Sequence, residues 1–144
     1  MAVSSAMRRL LRVLEIQESE CRTAMASARA ELNRMEQALA RSVERERGGR
    51  RLVAASATTG DVTDRIAGIE ETRVAKRLAA ALEPRIAEME AAVSTRRREF
   101  LGKRIERRQT ETLIEETEAL DKVEAGRRAQ RDLDDWFLSR RSTT

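Results

Sequence analysis

The 144 residues carry 29 basic and 25 acidic side chains, one cysteine, one proline, 2% aromatic residues and no histidine. That composition excludes histidine triads, histidine metal ligands, cysteine-cluster zinc sites and an intrachain disulfide. With 38% charged residues but a net charge of only +4, the chain reads as long helix or coiled coil with a balanced surface, not as an aromatic-cored globule or a nucleic-acid binder.

Disorder is the competing reading of so charged a chain, but helix formers dominate and apolar residues recur regularly. The first helix is expected over residues 5–57, capped by Ser4 or Ser5. Its apolar positions step by three and four through Leu11, Leu14, Cys21, Met25, Ala28, Leu32, Met35 and Leu39. This is a heptad seam. Glu18 breaks it once and Ser42 closes it weakly. Cys21 reads as a small buried hydrophobe. Over Arg45–Arg51 the seam fades, and Gly48–Gly49 costs a helix roughly 2 kcal/mol relative to alanines. A weak or frayed stretch is expected there.

The strongest turn signal falls at 57–61, in the run Ser56–Ala57–Thr58–Thr59–Gly60–Asp61, with Asp61 as cap of a second helix. The second helix is expected over 62–140. Apolar residues resume at Val62, Ile66, Ile69, Val74, Leu78, Leu82, Ile86, Met89, Val93 and Phe100. Several lie eleven residues apart, a spacing that straightens or reverses a supercoil. Pro84 lies inside this run. It either kinks one long helix or starts a new one, leaving 62–82 as a separate tip element. The seam is expected to continue through Ile105, Leu113, Leu120, Val123, Leu133 and Phe137, before a loose tail at Ser142–Thr144. The pattern therefore predicts one elongated all-α unit, an antiparallel two-helix coiled-coil hairpin with a kink or a short tip helix at Pro84.

Charge is uneven along the second helix. Arg96–Arg108 holds seven basic and two acidic residues, and Glu111–Glu124 holds six acidic and one basic. These blocks read as a solvated face with i,i+4 pairing, or as docking patches of opposite sign. Gly48–Gly49 has no strand before it and no Lys-Ser/Thr after it, so it is not a phosphate loop. The carboxylates of Asp134 and Asp135 diverge by about 100° on a helix and share no site. No catalytic constellation can be assembled, and no cofactor or metal is expected. No apolar run approaches the roughly 18 residues needed to span a membrane. The opening residues lack the apolar stretch of a secretory signal. The expected location is cytoplasmic, without membrane insertion.

The segment Glu124–Arg141 is the most distinctive. It resembles the end of the FliJ/YscO family, whose final helix carries an Arg-x-x-Gln-x-x-x-Asp-like string. Arg127, Gln130 and Asp134 fit that string, with Arg131 and Asp135 beside them. The opening Met7–Arg8–Arg9–Leu10–Leu11–Arg12–Val13–Leu14 is similar to the basic-apolar start of such proteins. The resemblance implies a central-stalk protein of type III secretion, in an injectisome or a flagellar export apparatus, peripheral to the membrane-embedded machine. The paired termini of the hairpin would enter a hexameric secretion ATPase, as the gamma stalk does in rotary ATPases. Its tip would point to a membrane export-gate protein, and some family members also bind export chaperones. On this reading the contact residues are Arg8, Arg9, Arg12, Arg127, Arg128, Gln130, Arg131, Asp134, Asp135 and Trp136. Trp136 and Phe137 read either as hairpin core or as a partner-facing anchor. Two rival classes stand beside this one: a generic coiled-coil scaffold or homodimer, and a nucleic-acid binder using Arg96–Arg108. The acidic block and the lack of interleaved aromatics count against the second.

Overall fold

The computed structural model describes residues 3–143. They form two helices, α1 (Ser5–Thr59) and α2 (Val62–Ser142), packed on each other as an all-α hairpin. Among the described residues there is no strand. Ser4 caps α1: its Oγ accepts from the Met7 N–H at 3.1 Å and its carbonyl from the Arg8 N–H at 3.3 Å. α1 ends at Gly60, whose φ of +73° is open to glycine at little cost. The Gly60 N–H closes on the Ser56 carbonyl at 2.8 Å. Asp61 starts α2, accepting from the N–H groups of Thr63 at 3.0 Å and Asp64 at 3.2 Å. The turn expected over 57–61 thus narrows to Gly60 and Asp61, because both caps act at once.

α2 runs unbroken through Pro84, so residues 62–82 are not a separate tip element. Pro84 and Ala80 both lie on the exposed side, where water can serve the carbonyl that proline leaves without a donor. The helix continues to Ser142. Of the tail expected to be loose, Ser142 is helical, Thr143 is a turn, and Thr144 lies outside the described residues.

The hairpin divides into two compact units. The turn unit is Cys21–Glu99. On α1 its buried and half-buried seam runs through 21, 25, 28, 32, 35, 39, 42, 46, 49, 53 and 56, strictly by fours and threes. On α2 the same repeat runs through 68, 72, 75, 79, 82, 86, 89 and 93. Ala75 and Ile86 are buried on it, whereas Val74 and Leu78 are exposed. The core keeps the heptad alternation of four and three, within which the eleven-residue steps Leu82–Val93 and Met89–Phe100 both fall. Leu78, which also makes such a step with Met89, stands one residue, about 100°, before the half-buried Ala79.

The Gly48–Gly49 stretch is helical throughout. Gly49 is buried, and a Cβ there would meet the Thr72 Oγ1 at 2.5 Å and the Gly68 carbonyl at 2.7 Å. The expected weak stretch is instead a close approach of the two backbones. The helix-propensity cost of Gly49 is offset by packing that no larger residue permits.

The terminal unit joins the residues up to Glu20 with those from Phe100 onward. Leu14, Phe100 and Ile114 are its buried apolar residues. The rest of its seam on α2 is polar: Lys103, Arg107, Thr110, Thr117 and Asp121 are half-buried or buried. Ile105, Leu113, Leu120, Val123, Leu133 and Phe137, expected to carry the seam onward, are each more than half exposed. Leu113 and Leu120 precede the seam positions Ile114 and Asp121 by one residue, so they form a second line about 100° around the helix.

Candidate partner-binding surface

Within the terminal unit the register is marked by a buried ion pair. Glu18 stands four residues after Leu14 and three before Cys21, on the seam, and its residue is only 4% exposed. Arg107 donates from Nε to Glu18 Oε2 and from Nη1 to Glu111 Oε1, the latter at 2.7 Å. The hydrogen bond to Glu18 is the main cause that raises the Arg107 pKa, with Glu111 adding to it against the cost of desolvation. Glu18 reads in the sequence as a break in the apolar series. The structure makes it a seam residue whose partner lies 89 positions away. Its heptad phase was the signal, but nothing in sequence names Arg107 as the partner.

Of the N-terminal arginines, Arg8 lies beside the acidic block of α2. An Arg8 Nη is 3.7 Å from Glu118 Oε1, and Arg9 Nη2 donates to Ser5 Oγ at 3.2 Å. Arg12 is exposed one residue beyond Leu11. From Lys122 to Thr143 every residue is exposed. So α2 continues for about 20 residues, roughly 30 Å, without cover from α1. The expected contact residues therefore do not gather in one place. Arg8 sits level with Glu118, while Arg127 to Trp136 lie farther along α2 on its uncovered end.

The uncovered end presents two faces. Leu113, Glu116, Leu120, Val123, Arg127, Gln130, Asp134 and Phe137 follow one another by threes and fours, a single line along α2. Gln130 donates to Asp134 Oδ1 at 3.1 Å along it. The string singled out in the sequence thus continues the exposed apolar line. Arg128, Arg131 and Asp135 occupy the other face, in phase with Ile114, Thr117 and Asp121. Arg128 lies 3.7 Å from Glu124.

Trp136 and Phe137 are not hairpin core: 48% and 59% of their surface is exposed. Their rings meet edge to face, centroids 5.1 Å apart at 77°. The Arg140 guanidinium covers the Trp136 ring at 4.4 Å. This aromatic-cation cluster on a solitary helix is what a partner groove can bury.

Among the described residues no three acidic or cysteine side chains come together to hold a metal, and no helix is long and apolar enough to cross a membrane. At the turn end of α2, Val62, Ile66 and Ile69 are exposed, whereas the apolar spacing predicts them on the seam. Compared with known proteins, the chain matches no family model, no curated protein and no solved structure.

Proposed function

We propose that this chain is a non-catalytic stalk protein that engages a hexameric secretion ATPase of a type III export apparatus through the uncovered end of α2. The observation that carries the reading is the exposure of every residue from Lys122 to Ser142 on a continuous helix. On this end Val123, Leu133, Trp136, Phe137 and Leu138 are all about half exposed or more, apolar surface that gains by docking. The resemblance of Arg127, Gln130 and Asp134 to the FliJ/YscO string supports the identity of the partner. On this reading Arg127, Gln130, Asp134 and Phe137 meet one subunit while Arg128, Arg131 and Asp135 meet another. Trp136 serves as the anchor between them. Arg8, Arg9 and Arg12 take a secondary role beside the ring mouth.

A helix inside a ring touches subunits in different nucleotide states unequally. Coupling to hydrolysis then follows from its differential affinity for those states. The export-gate protein and export chaperones belong to the same proposal, as does a cytoplasmic place beside the membrane-embedded machine. The test is the hydrolysis rate of the co-encoded secretion ATPase with and without this protein, together with co-purification of the assembled ring. Stimulated turnover or stable ring binding supports the stalk. No binding and no rate change, with folded protein and assembled ring, leaves a generic coiled-coil scaffold or homodimer. The exposed line of Leu113, Leu120 and Val123 favours that second reading, since a second chain can cover it.

A further inference from the structure

In the turn unit, a hollow of about 420 Å³ opens between α1 and α2, lined by Arg50, Val53, Ile69, Thr72, Arg73 and Lys76. Its floor lies beside the Gly49–Gly68 approach: a Cβ on Gly68 would meet Val53 Cγ2 at 2.8 Å. Val53 and Ile69 make the hollow apolar, and three cations stand on its rim. Thr72 is already satisfied, donating to the Gly68 carbonyl at 2.8 Å. An Arg50 Nη lies 2.6 Å from Glu46 and Arg73 Nη1 lies 3.3 Å from Glu70. Each of these arginines is more than half exposed. A guanidinium has five N–H donors, so both can serve a further carboxylate. No acid lines the hollow.

The hollow belongs to a longer stripe. Val62, Ile66, Ile69, Arg73 and Lys76 follow by four, three, four and three along α2, one face of the helix. Val62, Ile66 and Ile69 are 67%, 59% and 43% exposed. The stripe is thus apolar toward the turn and cationic away from it. It spans about 21 Å, the length of four helical turns. A single small molecule would leave most of that length bare.

We infer that this stripe and hollow form a docking groove for an acidic amphipathic helix of a partner protein. The partner seats an apolar side chain in the hollow against Val53 and Ile69. Its apolar ridge covers Ile66 and Val62, and its carboxylates meet Arg50, Arg73 and Lys76. The inference uses residues of the turn unit alone and does not depend on the ATPase reading. Complementary charge gives the groove its selectivity, and the apolar anchor gives it residence time.

The test uses the full chain and two dye-labelled synthetic helical peptides of about 18 residues, five turns. Both carry the same leucine stripe; one is flanked by glutamates and the other by lysines. Fluorescence anisotropy at low ionic strength should show binding of the glutamate peptide only. Lys76→Glu and Arg50→Glu should each weaken it by about tenfold or more. Ile69→Ala should weaken it with little change in salt dependence. Circular dichroism must show that each variant keeps its helicity; a variant that unfolds is replaced by Lys76→Gln, read in the same way. Equal binding of the lysine peptide, or no loss on charge reversal, overturns the inference. So does the absence of binding up to about 100 μM. The same holds if phosphatidylglycerol–phosphatidylcholine vesicles bind through these cations while the glutamate peptide does not, which assigns the stripe to a membrane surface.

Discussion

Gly49 and Gly68 meet across the turn unit so closely that a Cβ on Gly49 would lie 2.7 Å from the Gly68 carbonyl oxygen, and one on Gly68 would lie 2.6 Å from that of Gly49. Gly48, next to Gly49, has nothing within 4 Å of its would-be Cβ. Gly49→Ala or Gly68→Ala should therefore destabilise the hairpin by about 1–3 kcal/mol through overpacking. Gly48→Ala should stabilise it by up to about 1 kcal/mol, from helix propensity alone. Urea unfolding of the three variants decides this, and equal effects at Gly48 and Gly49 would remove the close approach from the account.

Pro84 is exposed inside α2 and makes no cap or turn there. Pro84→Ala restores a backbone donor and removes the ring's crowding. It should raise stability by up to about 3 kcal/mol. A loss of stability on substitution would mean that the proline sets a geometry the hairpin needs.

The Glu18–Arg107 pair should act as a unit. Arg107→Met alone removes the guanidinium that reaches the buried Glu18 from α2, and the melting temperature should fall. Adding Glu18→Leu should recover most or all of that loss, since an apolar pair can replace a buried ion pair at little or no cost. A double-mutant cycle measures the coupling. Additive single and double effects would show that the two side chains do not act together.

Acid should loosen the turn unit through Glu71. Arg45 donates from Nε to Glu71 Oε1 at 2.7 Å, and this hydrogen bond is the main cause that lowers the Glu71 pKa. A carboxyl depressed in the folded state binds fewer protons there than in the unfolded chain. Its stabilisation is full above the ordinary carboxyl range, near pH 4.5, and is lost as pH falls through the folded value. The effect should be small, since both side chains are over 40% exposed. Glu71→Gln should flatten the stability profile below about pH 5 and leave it unchanged at neutral pH in shape. Melting curves across that range provide the check.

The uncovered end of α2 should be dispensable for folding and needed for docking. Removing the residues after Lys122 should leave the unfolding midpoint of the hairpin nearly unchanged while abolishing partner binding. Trp136 is the sole tryptophan and is half exposed. Its emission should be that of a hydrated indole and, on the proposed stalk function, should shift to the blue when a secretion ATPase is added. Emission unmoved at saturating partner would take Trp136 out of the interface. Charge reversal at Arg127, Arg128 and Arg131 should weaken binding without loss of helicity.

The sequence by itself determined the helical class, the place of the turn and its cap at Asp61, and narrowed the cap of α1 to Ser4 or Ser5. These are local properties: helix propensity, a run of turn-forming residues, and side-chain oxygens within reach of the next turn's N–H groups. It also placed the α1 seam in correct phase, because Leu, Met and Ala recur there every three or four residues. On α2 the series Leu82, Ile86, Met89, Val93 and Phe100 also falls on the buried line, and only the tertiary structure decided the phase before and after it. The core line of α2 is built in part from Gly68, Thr72, Arg107, Thr110 and Asp121, while Leu113, Leu120 and Phe137 stand outside. At the turn end of α2 and beyond Phe100, hydropathy alone assigns the buried and exposed lines the wrong way round. The cause is that each α2 position is chosen by what faces it on α1. Glycine answers glycine where the backbones touch, and arginine answers Glu18 where a charge is buried. Such pairings join residues dozens of positions apart, and no local spacing encodes them. The exposure of Trp136 was settled in the same way, by how far α1 reaches along α2.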